Sequence, residues 1–140
     1  MRTTPLLLMA VVLTACGGSE EAQPAPAEGP AVADFGGTWQ ITATLDGVAD
    51  PVPSVMSCSD DGSCTMTLPD REPMTFQVSM TGDSLVGETA EYESILRDGV
   101  MVSIRTAMVR QGDGVTGKML ASYRTDDGTE LVNGTMTGTR

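Results

Sequence analysis

The stretch WQITATL, residues 39–45, decides the fold class because its apolar and polar residues alternate strictly. The apolar residues stand at every second position: Trp39, Ile41, Ala43 and Leu45. Successive side chains of a β-strand point to opposite faces, so this pattern predicts a strand with one dry face. No part of the chain shows a sustained helical period.

The same alternation recurs in CTMTL (64–68), MTFQVSM (74–80) and VTGKMLASY (115–123), with short Asp-Gly turn signals between such stretches. Together they predict eight strands, at residues 37–46, 52–59, 63–69, 73–81, 84–96, 100–110, 115–124 and 129–139. Connections this short allow only sequential antiparallel pairing. Because closure buries one apolar face and both sheet edges, we predict an all-β, eight-stranded antiparallel up-and-down meander barrel over residues 35–140.

Cys58 and Cys64 flank one of these turns. If the Asp-Asp-Gly sequence forms a three-residue loop with Gly62 in the left-handed conformation, the two cysteines oppose each other directly. Opposed residues lie about 4.5 to 5.5 Å apart at Cα, which a disulfide accepts. We predict a structural disulfide, and a redox or metal-binding pair is the alternative.

Residues 1–15 have the layout of a secretory signal, with Arg2 before an apolar run at 6–13 and the small residue Ala15 after it. As a helix the run would span about 12 Å, too short for a bilayer core of about 30 Å. The sequence therefore predicts cleavage and export. An ordinary signal peptide, followed at position 16 by a cysteine that is there by chance, is one interpretation of this segment.

The four residues Leu13-Thr14-Ala15-Cys16 resemble the lipobox of bacterial lipoproteins. The resemblance implies that Cys16 begins the mature chain and carries a diacylglycerol with an added acyl chain such as palmitate. Gly17, in place of an aspartate, implies sorting to the outer membrane, facing the periplasm. Several acyl chains give stable attachment, so the membrane is a predicted partner. Residues 16–34, rich in Pro, Ala and Glu, are predicted to form a disordered tether.

The chain has 19 acidic and 8 basic residues, and removal of Arg2 leaves a net charge of −12. Such a surface repels nucleic acid, which we exclude as a partner. Histidine is absent, so we expect no metal and no cofactor. Aspartate pairs at 60–61 and 126–127 could hold calcium, but neither follows the spaced ligand pattern of a calcium loop, and turn chemistry explains them. The carboxylates at 88, 91 and 93 lack a nucleophile motif, so we expect no enzyme activity.

The first strand opens with Gly37-Thr38-Trp39, which resembles the Gly-x-Trp signature of lipocalins and their calycin relatives. In that family the tryptophan closes the barrel floor and an arginine of the last strand covers it. The resemblance implies barrel closure by Gly37, Trp39 and Arg140. The Thr-Asp-Tyr loop motif of the family is missing, and QGDG (111–114) stands near its position.

A lipocalin-like fold implies a small hydrophobic ligand inside a monomeric barrel. The residues predicted to line that interior are Trp39, Ile41, Met56, Met66, Met74, Phe76, Val102, Ile104, Met108, Met119 and Tyr123. An eight-stranded barrel accommodates either a filled core or one small ligand, and the sequence leaves both open. A protein-binding barrel, such as a periplasmic lysozyme or protease inhibitor, and a structural envelope lipoprotein are the alternatives. A transmembrane barrel is disfavoured because the chain has few aromatic residues for its girdles.

Overall fold

The structure, a computed structural model, describes residues 30–140. The predicted signal segment, the lipidation of Cys16 and most of the predicted tether lie outside the described residues. Within residues 30–140, no helix combines the length and the apolar character needed to span a membrane.

The described chain consists of one short 3-10 helix, Val32–Phe35, followed by nine β-strands. The strands are β1 (Gly37–Leu45), β2 (Val52–Cys58), β3 (Cys64–Thr67), β4 (Met74–Thr81), β5 (Ser84–Thr89), β6 (Tyr92–Glu93), β7 (Met101–Gln111), β8 (Gly114–Thr125) and β9 (Gly128–Thr139).

Eight of the strands form a closed antiparallel barrel in the order β1-β2-β3-β4-β5-β7-β8-β9. The ring closes where β9 pairs with β1, for example Met136 opposite Ala43. It is continuous across β5 and β7 because Gly87 lies opposite Thr106. The two residues of β6 add only a short pairing against the start of β7. The predicted eight-stranded meander barrel is therefore confirmed.

The predicted strand 84–96 is wrong in its second half. β5 ends at Thr89, and residues 94–100 form a loop across one end of the barrel, which we call the 94–100 loop. The hydroxyl of Ser94 accepts hydrogen bonds from the N–H groups of Leu96 (3.0 Å) and Arg97 (3.1 Å). The N–H of Ser94 donates to the carbonyl of Val100 at 2.8 Å. These local bonds satisfy the backbone without a ladder, as serine side chains commonly do in turns.

The packed part of the chain begins a few residues before the predicted boundary at residue 35. The 3-10 helix places Phe35 in the core with none of its surface exposed, and Val32 packs against the core as well. The N–H of Ala31 donates to Asp34 Oδ2 at 2.7 Å and fixes the start of the turn. The last residues of the segment predicted as tether are therefore part of the barrel domain.

The barrel interior is filled most completely at the end where β1 begins, which we call the closed end. Its large side chains are at most 1% exposed: Phe35, Trp39, Met56, Phe76, Leu85 and Met108. Gly117 occupies an inward position of β8 opposite Met108. A Cβ atom at Gly117 would lie 2.2 Å from the carbonyl oxygen of Ala107. Packing of the barrel therefore requires a residue without a side chain at Gly117 as well as large side chains elsewhere in the interior.

The predicted disulfide joins Cys58 and Cys64, which oppose each other across the β2–β3 hairpin with their Cα atoms 4.1 Å apart. Gly62 has the predicted left-handed conformation, with φ of 87°. The N–H of Ser59 donates to the carbonyl of Ser63 at 2.9 Å, which closes the three-residue loop. Hydrogen bonds from the Ser59 hydroxyl and then the Ser63 N–H hold the pKa of Asp61 below its ordinary value.

Replacing both Cys58 and Cys64 with alanine is expected to lower the free energy of unfolding by about 2 to 2.5 kcal/mol, because the bond closes a loop of only seven residues in the unfolded chain. Urea denaturation in oxidising buffer measures the loss. A reductant should lower the free energy of unfolding of the wild-type protein nearly to that of the double variant. It should not change the free energy of unfolding of the double variant. Two free thiols in the oxidised wild-type protein would contradict the disulfide.

Candidate functional site

An apolar cavity lies inside the barrel at the end opposite Trp39, which we call the cavity end. Strand β1 ends there at Leu45, β2 begins there at Val52, and the 94–100 loop crosses it. The cavity is lined by Ala43, Leu45, Val52, Ser54, Met66, Leu68, Tyr92, Ser94, Ile95, Leu96, Val102, Ile104, Thr106, Met119, Tyr123 and Met136.

The cavity is small. Its free volume is only about 40 Å³. That is enough for ordered water but well below the roughly 150 Å³ of a cavity that takes up benzene. Met66, Met119 and Met136 form part of the wall, and unbranched thioether side chains change rotamer easily. The cavity therefore suits a short apolar group as it stands, and a larger one only after its methionines move.

The 94–100 loop forms one wall of the cavity, and Arg97 ties it to β9. Ile95 and Leu96 line the cavity, and Leu96 is still 40% exposed, so the cavity reaches the surface beside the loop. Arg97 donates through Nη1 and Nη2 to the carboxylate of Glu130 at 2.7 and 3.0 Å. Its guanidinium carbon also lies 4.0 Å from the centroid of the Tyr123 ring.

The contact between Arg97 and Glu130 is exposed to solvent, and this limits its strength. The hydrogen bond from Arg97 holds the pKa of Glu130 below its ordinary value. Exposed ion pairs of this kind contribute little to stability and are weakened further by salt. The loop is consequently the part of the cavity wall that can move at the lowest cost, whereas the strands are held by continuous ladders.

Uncharged polar groups are distributed over the otherwise apolar wall: Ser54, Tyr92, Ser94, Thr106 and Tyr123. Burial raises the pKa of Tyr92 to about 12, and the neighbouring Tyr123 phenol adds to the rise. Tyr92 is therefore a neutral hydroxyl at physiological pH. None of the lining residues is charged.

The structure divides the residues predicted to line a ligand site into two groups. Five of them line the cavity: Met66, Val102, Ile104, Met119 and Tyr123. The other six pack in or against the core outside it: Trp39, Ile41, Met56, Met74, Phe76 and Met108. Extra bulk at Met108 would therefore overpack the closed end whether or not the cavity binds a ligand.

Several cavity residues are missing from the sequence-based prediction, although some of them continue its alternating rows. Ala43 and Leu45 extend the row of Trp39 and Ile41, and Met136 alternates with the threonines of β9. Thr106 lies on the same inward face of β7 as Val102 and was overlooked because it is polar. Taking every second residue along each strand would have identified these four residues as facing inward. No such signal marks the 94–100 loop, since that segment reads as a strand.

The three residues implied in barrel closure come together at the closed end. The indole Nε1 of Trp39 donates to the carbonyl of Phe35 at 2.8 Å. The guanidinium carbon of Arg140 lies 4.8 Å from the centroid of the Trp39 ring, and its Nη1 donates to the carbonyl of Gly36 at 3.2 Å. Gly37 has a φ of 100°, and its missing side chain faces the Arg140 stem. This contact seals the barrel below the cavity.

The acidic residues near Tyr92, Glu91 and Glu93, make contacts on the surface of the barrel. Glu91 pairs with Arg124 at 2.5 Å, and Glu93 accepts a hydrogen bond from the N–H of Gly99 at 3.4 Å. Across residues 30–140, no three His, Cys, Asp or Glu side chains are grouped so as to hold a metal ion. An apolar cavity inside a small β-barrel is compatible with ligand binding.

The likeness to lipocalins rests on three observations: the Gly37-Thr38-Trp39 motif, the cover of Trp39 by Arg140, and the eight-stranded barrel itself. The first is a sequence motif of three residues, and barrels of this kind occur in unrelated proteins. Compared with known proteins, the sequence matches no protein-family model and no curated protein.

Proposed function

We propose that this protein binds a small, largely apolar molecule at the cavity end of its barrel and catalyses no reaction on it. The observation that carries the proposal is the contrast between the two ends. The closed end is sealed by Trp39 and Arg140, whereas the cavity end keeps free space behind the 94–100 loop. Ligand sites in proteins are typically concave and apolar with a few polar groups, as this one is.

The size of the cavity limits the ligand class. A free volume of about 40 Å³ excludes a long acyl chain in the conformation described. Binding of a ring-sized molecule needs rotamer changes of Met66, Met119 or Met136 and an outward shift of the 94–100 loop. Two features favour these changes: the methionines are flexible, and the ion pair that ties Arg97 of the loop to Glu130 is exposed.

The proposal predicts that toluene binds the protein with millimolar affinity or better, and that Ala43→Leu weakens this binding at least tenfold. Ala43 lines the cavity, so a leucine there fills the space that toluene would occupy. Methyl resonances of the cavity methionines, followed by NMR during a toluene titration, report the binding directly. Thr44→Leu is the matched control, because Thr44 is on the outer face of the same strand and should leave binding unchanged.

Two results would overturn the proposed function. The first is the absence of any methionine methyl shift up to the solubility limit of toluene, in which case a protein-binding or structural role takes its place. The second is unchanged toluene binding in a folded Ala43→Leu protein, which would put the binding site elsewhere. Thermal unfolding of both variants establishes that they are folded.

We also propose that Cys16 carries a lipid anchor that attaches the barrel to the outer membrane on the periplasmic side. The lipobox stretch Leu13-Thr14-Ala15-Cys16 supports the anchor. The Cys58–Cys64 disulfide is in keeping with an oxidising compartment such as the periplasm.

Cys16→Ser is expected to move the protein from the membrane fraction to the soluble fraction and to abolish incorporation of labelled palmitate. The reason is that serine cannot form the thioether on which the anchor depends. Cell fractionation and metabolic labelling measure the two effects. Ser19→Ala, close by in the sequence, should change neither. A Cys16→Ser protein that remained in the membrane fraction would contradict the anchor.

A further inference from the structure

The hydroxyl group of Thr106 has no partner in the folded barrel. Thr106 lies on the inward face of β7, is 1% exposed and lines the cavity. Its Oγ1 is the one buried side-chain oxygen or nitrogen of residues 30–140 that makes no hydrogen bond. Buried hydroxyl groups are costly to leave unpaired, and most of them in folded proteins have a partner.

Two other buried hydroxyl groups near Thr106, those of Thr89 and Ser94, are used by the fold. Thr89 Oγ1 accepts a hydrogen bond from the N–H of Ile104 at 2.9 Å, where β5 ends beside β7. Ser94 Oγ accepts two N–H groups and shapes the 94–100 loop. No comparable structural task exists for Thr106, and valine would fill the same volume without the cost of an unpaired hydroxyl.

The surroundings of Thr106 select against a charged ligand. The residues lining the cavity carry no ionised group, so a buried carboxylate or ammonium would have no counter-charge there. Arg97 stacks on the lining residue Tyr123. Both of its terminal nitrogens are already engaged by Glu130.

We propose that Thr106 is the polar recognition residue of the cavity, and that the ligand is an uncharged molecule with a compact apolar body and one hydrogen-bonding group. A hydroxyl or carbonyl group of the ligand would pair with Thr106 Oγ1, which both donates and accepts. The apolar body would lie against the methionines. This inference rests on the proposed binding function and specifies the ligand class for the same site.

The test compares three probes of similar size, phenol, toluene and benzoate, on the wild-type protein, Thr106→Val and Thr106→Ser. Phenol and toluene differ by a hydroxyl in place of a methyl group, and so do threonine and valine. Thr106→Val should weaken phenol binding about tenfold and leave toluene binding within twofold. Thr106→Ser keeps the hydroxyl and should retain phenol binding. Benzoate should bind far more weakly than phenol to the wild-type protein.

The outcomes separate this inference from the proposed function. If toluene and phenol both fail to bind the wild-type protein, the proposed function fails and the inference with it. If toluene binds but Thr106→Val affects phenol no more than toluene, only the role of Thr106 is overturned, and its hydroxyl then pairs with cavity water. Benzoate binding as tight as phenol would overturn the uncharged class. If Thr106→Val does not fold, Thr106→Ala provides the same comparison.

Discussion

Replacing Trp39 with alanine is expected to lower the free energy of unfolding by about 3 to 5 kcal/mol, the range for deleting a large aromatic side chain from a core. Trp39 is completely buried, and its Nε1 satisfies the carbonyl of Phe35 at 2.8 Å. The variant would lose the ring, leave that carbonyl unpaired and release Arg140 from the closed end. Because small domains are stable by only about 5 to 15 kcal/mol, the variant should be marginally folded.

Urea denaturation followed by circular dichroism measures this loss. Trp39→Phe retains most of the ring but removes the N–H donor, so it should cost less than Trp39→Ala and still be measurable. Gln40→Ala is the matched surface control, since Gln40 points outward from the same strand, and it should change stability by less than about 0.5 kcal/mol. A Trp39→Ala protein as stable as this control would show that packing of Trp39 at the closed end contributes little to the stability of the barrel.

Gly117→Ala, which adds a single methyl group, is also expected to cause a large loss of stability. The added methyl group would lie 2.2 Å from the carbonyl oxygen of Ala107 and 2.9 Å from the Cα atom of Met108. Both are main-chain atoms of the neighbouring strand and cannot rotate away. Overpacking usually costs about 1 to 3 kcal/mol, and we expect about 3 kcal/mol or more here because β7 and β8 must separate.

Thermal and urea unfolding of Gly117→Ala measure this effect, and Lys118→Ala is its control because Lys118 points outward from the next position of β8. The control should alter stability by less than about 0.5 kcal/mol. Hydrogen exchange should show weakened protection between β7 and β8 in Gly117→Ala alone. Equal stability of the two variants would mean that the strands tolerate a wider spacing at Gly117.

The sequence predicted the barrel well because the features that produce a meander barrel are local in the chain. Alternation of residues such as Trp39, Gln40 and Ile41 sets the face of each side chain, and Asp-Gly turns set the pairing of consecutive strands. The disulfide followed from the same register. The segment after Thr89 was misjudged because its alternation resembles a strand, whereas the hydroxyl of Ser94 stabilises a loop instead. Side-chain to backbone bonds of that kind leave no periodic signal.

The position of the cavity could not be read from the chain. Inward residues form continuous rows along each strand, so Met108 and Met119 look alike in the sequence. Whether a side chain meets a filled layer or a gap depends on residues from several strands, such as Leu85 opposite Met108 and Gly134 opposite Met119. The fastening of the 94–100 loop by Glu130 joins residues 33 positions apart, which no local pattern reveals.

The closed end is also where the chain enters the barrel. The 3-10 helix and Gly36 lead directly into β1 there, beside Trp39 and Arg140, and the cavity lies at the far end of the same strand. Residues 30–36 therefore reach the barrel on the side away from the cavity. The entering segment consequently leaves the 94–100 loop and the cavity beside it uncovered.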